Sequence, residues 1–379
     1  MGPLERIRVI EMEGIGPGPF CAMLLGDLGA EVLRVARPPQ AATSAANLPG
    51  ADPTQRSRAA VTVDLKHPDG PGVVLALAAA ADVFIEGYRP GVAERLGIGP
   101  DECVARNPAL VYGRMTGWGQ DGPLANAAGH DINYISLAGA LEPIGRAGGP
   151  PVPPLNLIGD YGGGGMLLAL GIVAALVERE SSGEGQVVDA AMVDGASILM
   201  ARFHGLRAGG FWTDRRGSNL LDTGAPFYDV YETADGRYVS VGSLEPQFFA
   251  ELVTRLGLEG DPEFACQLDR RTWPKMRQRL SAIFKGRTRD EWVELLEGSD
   301  ACFAPVLGLG EAAAHPHNQA RCSFVEVDGV VQPSPAPRFS RTGLSPPTGL
   351  RRPDAAVLLQ SWEVDPAAAA TWVDSGAVG

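Results

Sequence analysis

Residues 7–36 read IRVIEMEGIGPGPFCAMLLGDLGAEVLRVA, and the way they divide decides the fold. IRVIEM is a short apolar strand, GIGPGPF a turn, CAMLLGDLGA a short helix and EVLRVA a second strand. The alternation continues downstream. VTVDLK (61–66) is strand-like, GVVLALAAAA (72–81) helical, DVFIEG (82–87) a strand and GVAERLG (91–97) a helix. ALVYGRMTG (109–117) is a strand running into the Gly-rich loop GWGQDGP. Strands spaced by helices of this length predict an α/β fold, a Rossmann-like large domain whose parallel sheet is covered on both faces. Ligands of such sheets bind at the carboxyl ends of the strands. The polar stretch 40–58 between the second strand and VTVDLK reads as an exposed loop.

Beyond this region, AGHDINYISLAGAL (128–141) has helix-like apolar spacing. LIGDYGGGGMLLALGIVAALVERE (157–180) reads as a capped, very apolar helix, and VVDAAMVDGASIL (187–199) as a strand and then a helix. Near residue 205 the pattern changes. FYDVYETADGRYVSVG (227–242) is an antiparallel hairpin with AspGly at its turn. Helices follow at 244–257, 273–284 and 289–298, and FVEVDGVVQP (324–333) is a second hairpin. The domains expected are 1–205 (large), 225–335 (a smaller α+β domain) and 340–379, a tail returning to the large domain.

The net charge of −13 and pI near 4.9 argue against a nucleic-acid binder. An anionic ligand would need a local cluster of Arg and Lys. The five cysteines form no CxxC pair, which fits a reducing compartment. No apolar run reaches membrane-spanning length, MLLALGIVAAL (166–176) being read as a buried helix. With no signal-peptide pattern at the start, a soluble, cytoplasmic protein without membrane or nucleic-acid partners is expected.

Several residues stand out as chemistry. His130 lies between a glycine and an aspartate at a helix start, either as a satisfied structural residue or as an acid/base. GIGPGPF (14–20) superficially resembles a dinucleotide loop, but Pro17 and Pro19 remove two N–H donors, so a turn shaping a pocket fits better than an NADP site. Arg37 ends the second strand, where a ribose phosphate would sit, and Arg56, Arg58, Lys66 and Arg89 fall near loop ends of the same half. In PLNLIGDYGGGG (154–165), Asp160 stands at an N-cap position. Each glycine of the run costs a helix about 1 kcal/mol against alanine. Bare backbone there would let a ligand oxygen approach helix amides. Glu245 alone is an ordinary first-turn glutamate, and HisProHis (315–317) has no partners at ligand spacing, so no metal site is expected.

Taken together, GIGPGPFCAMLLGDLGAEVLRVARP, VDLK, IEGYRPG, RMTGWGQDGP, AGHDINYISL, PLNLIGDYGGGG, GQVVDAAMVDG, GAPFYDVYETADGRYVSVG and PAPRFSR resemble the family III CoA-transferase superfamily. The resemblance runs from about residue 4 to about residue 342 and is specifically to the branch that racemises 2-methylacyl-CoA thioesters. It implies an isomerase in lipid metabolism, with CoA as part of the substrate and no separate cofactor. It further implies an interlocked homodimer, each site lying between the large domain of one chain and the small domain of the other. His130 and Asp160 would catalyse 1,1-proton transfer through an enolate, with Glu245 paired to the histidine. Arg37, Lys66, Glu86, Tyr88, Arg89, Gly119 and Tyr134 match positions of the CoA site. Ala36, Ala59, Ala60 and Thr223 depart from the family pattern. The alternative within the superfamily is a CoA-transferase using Asp160 as nucleophile. A non-catalytic acyl-CoA-binding protein is a third class.

Overall fold

A computed structural model describes residues 2–38 and 52–379. The stretch 39–51, which holds most of the loop expected at 40–58, lies outside the described residues.

The chain forms two compact units. One holds Met1–Ala138, Pro154–Met200 and Arg321–Gly379, the other Gly139–Pro153 and Ala201–Ala320. The first unit is built on β1 (Arg8–Met12), α1 (Pro17–Asp27), β2 (Glu31–Ala36), β3 (Arg58–Thr62), α2 (Gly70–Ala79), β4 (Val83–Glu86), α3 (Val92–Arg95), α4 (Pro100–Arg106) and β5 (Val111–Thr116). It continues through α5 (Asp131–Leu137), a π-helical segment (Leu157–Met166) that runs into α6 (Leu167–Ser182), β6 (Val187–Ala191) and α7 (Met192–Leu199). The six strands are all parallel, in the order β3-β2-β1-β4-β5-β6.

Successive strand side chains face opposite sides, so β1 sends Val9 to one core and Ile10 to the other. Val9, Val32, Val83 and Val111 pack with Cys21 and Leu25 of α1 and with Leu168 and Ile172 of α6. Ile10, Leu33, Phe84 and Tyr112 pack with Val73, Val74 and Leu77 of α2 and with Leu358, Leu359 and Trp362 of the C-terminal segment.

Leu157–Ser182 forms one continuous helix of 26 residues, and an 18-residue stretch within it reaches mean hydropathy 1.6, long and apolar enough to cross a membrane. This corrects the sequence-based expectation that no run reaches that length. Leu168, Ala169, Ile172, Ala175 and Leu176 nevertheless lie buried against the sheet.

The second unit contains α8 (Ala201–Ala208), β7 (Tyr228–Glu232), β8 (Tyr238–Gly242), α9 (Pro246–Arg255), α10 (Trp273–Phe284), α11 (Arg289–Leu296), β9 (Phe303–Pro305), α12 (Leu309–Ala312) and α13 (Pro316–Ala320). Its antiparallel sheet, β7-β8-β9, packs Tyr231, Val239 and Val241 against Phe249, Met276, Phe284 and Trp292. Thr223 has φ 71, a region that glycine occupies without strain.

The ranges expected from sequence differ from these units. Residues 139–153 and 201–224 group with the second unit. The hairpin β10 (Phe324–Val327) and β11 (Val330–Pro333) belongs to the first, because Arg56 donates to Gln332 Oε1 at 3.0 Å and to the Pro333 carbonyl at 2.6 Å. The C-terminal segment, with α14 (Ala355–Ser361) and α15 (Pro366–Asp374), covers the edge strand β3. Ser57 N–H donates to the Thr348 carbonyl, Ala60 to Arg351, and Thr62 to Gly379.

Candidate active site

The strand order reverses between β1 and β4, the switch point at which open parallel sheets hold ligands. A cavity of about 720 Å³ lies there. It is lined by Met12 at the end of β1, the loop that follows and the first residues of α1 (Pro17–Pro19), Arg37 after β2, Gly87–Pro90 after β4, and Gly117 and Trp118 after β5. Gly129, His130, Tyr134, Asn156, Asp160 and Tyr161 complete the wall.

His130 is the N-cap of α5, with its N–H donating to Asn133 Oδ1 at 3.1 Å. Its helix is anchored by Tyr134, buried edge-on against Trp118 at 4.7 Å between ring centres. A Cβ built on Gly117 would fall 2.2 Å from the Tyr134 ring, so only glycine lets the ring lie there.

Asp160 sits on the wall of the same cavity. Its Oδ2 accepts the Asn156 Nδ2 hydrogen bond at 3.0 Å, and its backbone N–H donates to Asp131 Oδ2 at 2.8 Å. Gly16, at φ 68, presses close: a Cβ there would lie 3.1 Å from Asp160 Oδ2. GIGPGPF is therefore a turn shaping a pocket, and α1 starts at Pro17, where a missing N–H costs nothing. Burial pushes the Asp160 carboxyl above the ordinary carboxylate range and the Asp131 charge adds to this, while the Asn156 amide and the His130 charge pull the other way. Burial likewise raises the Tyr134 phenol.

Asp160 is not the N-cap expected from sequence. Asn156 is, and Asp160 lies inside the first turn of the π-helical segment. Nor does the glycine run open amides to a ligand. A Cβ would fall 2.6 Å from Ala196 N at Gly163, 2.9 Å from Met192 Cγ at Gly164 and 2.7 Å from the Pro17 carbonyl at Gly165. The glycines let α1, α7 and this segment touch backbone to backbone.

Of the residues matched to a CoA site, Arg37, Tyr88, Arg89 and Tyr134 line the cavity. The Arg37 guanidinium lies over the Tyr88 ring at 5.8 Å, and Arg37 N–H donates to Glu13 Oε2 at 2.8 Å. Lys66, Glu86 and Gly119 are not on its wall. Glu86 is buried, accepts from Arg114 at 3.0 Å and from Tyr88 N–H at 2.6 Å, and is pushed up to about 7 by burial. Gly119 donates its N–H to Thr116 Oγ1 at 3.0 Å. The sequence-based basic cluster shrinks as well. Arg56 is buried against Asp27, and Arg58 is fully buried against Glu11, so neither guanidinium is free for a phosphate. Glu245 belongs to the second unit, as the exposed N-cap of α9. Asn156, Asp131 and Gly16 were not singled out from sequence; the spacing of Asn156 four residues before Asp160 was the one available sign.

Residues 4–354 match the profile of CoA-transferase family III. The chain belongs to CoA-transferase family III. It is 45% identical over 345 residues to the alpha-methylacyl-CoA racemase of Mus musculus, which spans 90% of this chain and 88% of that protein. The alpha-methylacyl-CoA racemase of Homo sapiens is 42% identical over 344 residues, with the same coverage. Among solved structures, a CaiB/BaiF family protein from Brucella suis superposes with a TM-score of 0.79 at 26% identity, over 95% of this chain and 99% of that one. In this family III chain, the cavity at the β1/β4 switch point is the candidate active site.

Proposed function

We propose that this chain is an isomerase that interconverts (2R)- and (2S)-2-methylacyl-CoA thioesters by 1,1-proton transfer through an enolate-like intermediate. One observation carries the reading: an imidazole and a carboxyl raised above its ordinary range open onto a single cavity. Inversion needs a proton taken from one face and returned to the other, hence two acid/base groups. In one direction neutral His130 accepts a proton while protonated Asp160 donates one; in the other the roles exchange. At ordinary pKa values of about 6.5 and 3.9 these two states differ by roughly 3.5 kcal/mol. Burial of Asp160 narrows that gap. Arg37 and Arg89 on the cavity wall are the groups available to the phosphates of CoA. Oxyanion donors must come from outside the glycine run. In the first turn of α5 the Asn133 N–H already donates to the His130 carbonyl at 2.8 Å, whereas the amides of Asp131 and Ile132, beside His130, have no acceptor within the helix by position.

The proposal includes a homodimer in which Glu245 of one chain serves His130 of the other. Leu137, Leu157, Met166, Leu170, Val177 and Ile198 are large apolar residues left exposed on the first unit of a single chain, which supports association.

The test is incubation with a 2-methylacyl-CoA in heavy water. A racemase washes deuterium into the α-carbon and equalises the two epimers, and His130→Ala slows this about 10²–10⁴-fold. Absence of exchange, with CoA passing to an acceptor acid, would instead establish a transferase using Asp160 as nucleophile.

A further inference from the structure

Asp131 follows His130 in the chain and is 5% exposed. Its Oδ2 accepts the N–H of Gly159 at 2.6 Å and that of Asp160 at 2.8 Å. Its Oδ1 is buried with no hydrogen-bond partner among the described residues. Gly159 leaves room for the carboxylate: a Cβ there would lie 2.6 Å from Asp131 Oδ2 and 3.2 Å from its Cα. Two consecutive residues thus bring the histidine to the cavity and tie down the turn that carries the carboxyl.

We infer that Asp131 is a positioning residue: its carboxylate clamps the first π-helical turn and so fixes Asp160 relative to His130. The inference rests on the racemase reading and deepens it. Hydrogen bonds to a charged acceptor are about twice as strong as neutral ones. A buried oxygen without a partner costs stability, so a residue kept for stability alone would be satisfied at both oxygens. The Asp131 charge also acts on Asp160 itself, adding to the effect of burial. The other ionisable groups around the pair are His130 and Tyr134 on α5, Arg89 after β4, and Tyr161 beside Asp160.

The test compares Asp131→Ala, Asp131→Asn and Gly159→Ala with the unaltered enzyme. Steady-state kinetics are followed over a pH series, and the ¹³C carboxyl signal of Asp160, identified by its loss in Asp160→Asn, is titrated alongside. Asp131→Ala and Gly159→Ala lower kcat roughly 100-fold with KM little changed, as expected for a displaced catalytic group. Asp131→Asn keeps an acceptor oxygen, so its kcat stays within about tenfold of the unaltered enzyme. It removes the neighbouring negative charge, so the Asp160 titration moves to lower pH, and with it the acid limb of kcat/KM in the direction in which Asp160 is the base. Folded Asp131→Ala or Gly159→Ala enzyme with undiminished kcat overturns the inference, as does an unmoved Asp160 titration in Asp131→Asn. If Asp131→Ala does not fold, the other two variants decide. If the unaltered enzyme exchanges no α-proton, the racemase reading fails, while the carboxyl titration still judges Asp131.

Discussion

Asp160 is held between neighbours that work against each other. Burial and the Asp131 charge favour its protonated form, and the Asn156 amide favours the carboxylate. Asn156→Ala removes that hydrogen bond, so in the direction in which Asp160 is the base the acid limb of kcat/KM is expected to move to higher pH, opposite to Asp131→Asn. A stability consequence follows from the same raised value. A carboxyl that titrates higher in the folded chain than in the unfolded one contributes stability below its unfolded value and loses it as pH rises through the folded value. Asp160→Asn has no charged form to bury. Its Tm relative to the unaltered protein is therefore expected to rise between mildly acid and neutral pH, while activity falls about 10²–10⁴-fold. Thermal melts across pH check the first and the deuterium assay the second. The local patterns around His130 and Asp160 drew attention to both residues but read Asp160 as a helix cap, and only the family resemblance paired them as an acid and a base. Asp131 and Gly16 were not legible, because their roles depend on approaches between residues distant in the chain.

At the scale of elements, the parallel sheet was legible because its strands are short apolar runs punctuated by helices. The π-helical winding was not, since four glycines carry no side-chain periodicity. The partners of Arg56 and Arg58 were hidden for a related reason: Asp27 lies on α1 and Glu11 on β1. Arg58 also donates to the Pro19 carbonyl at 3.0 Å, so β3 is tied to the start of α1, which walls the cavity. Arg58→Ala leaves Glu11 charged and buried, at an expected cost of about 3–5 kcal/mol. Replacing both partners by apolar residues of similar volume should recover much of that loss. Denaturant melts of the single and double variants measure it. The contact between α7 and the π-helical segment is tighter still, since a Cβ on Gly195 would fall 1.8 Å from the Gly163 carbonyl oxygen. Gly195→Ala must move one element away from the other. It is expected to cost roughly 1–3 kcal/mol or more and to lower activity by shifting Asp160.

At the scale of the whole molecule, the proposed dimer predicts complementation. His130→Ala and Glu245→Ala chains, each inactive alone, should regain activity when co-expressed, because the mixed dimer holds one site with both groups intact. If each site were instead completed within one chain, no mixture would recover. The sequence reading placed the second hairpin with the smaller region, which it follows in the chain. The Arg56 contacts, made across some 276 positions of chain, tie it to the other unit. The tail, read from sequence as returning to the large domain, groups with the first unit both by backbone pairing along β3 and by burying Leu358, Leu359 and Trp362 in its core. By lying along β3, residues 348–351 and 377–379 occupy donors and acceptors that an outermost strand would otherwise offer to strangers. A chain trimmed before residue 348 would keep every group that touches the cavity. It would also present a bare ribbon of amides and carbonyls and uncover the sheet face that Leu358, Leu359 and Trp362 bury, so its expected failing is lost stability and a tendency to aggregate before any loss of chemistry.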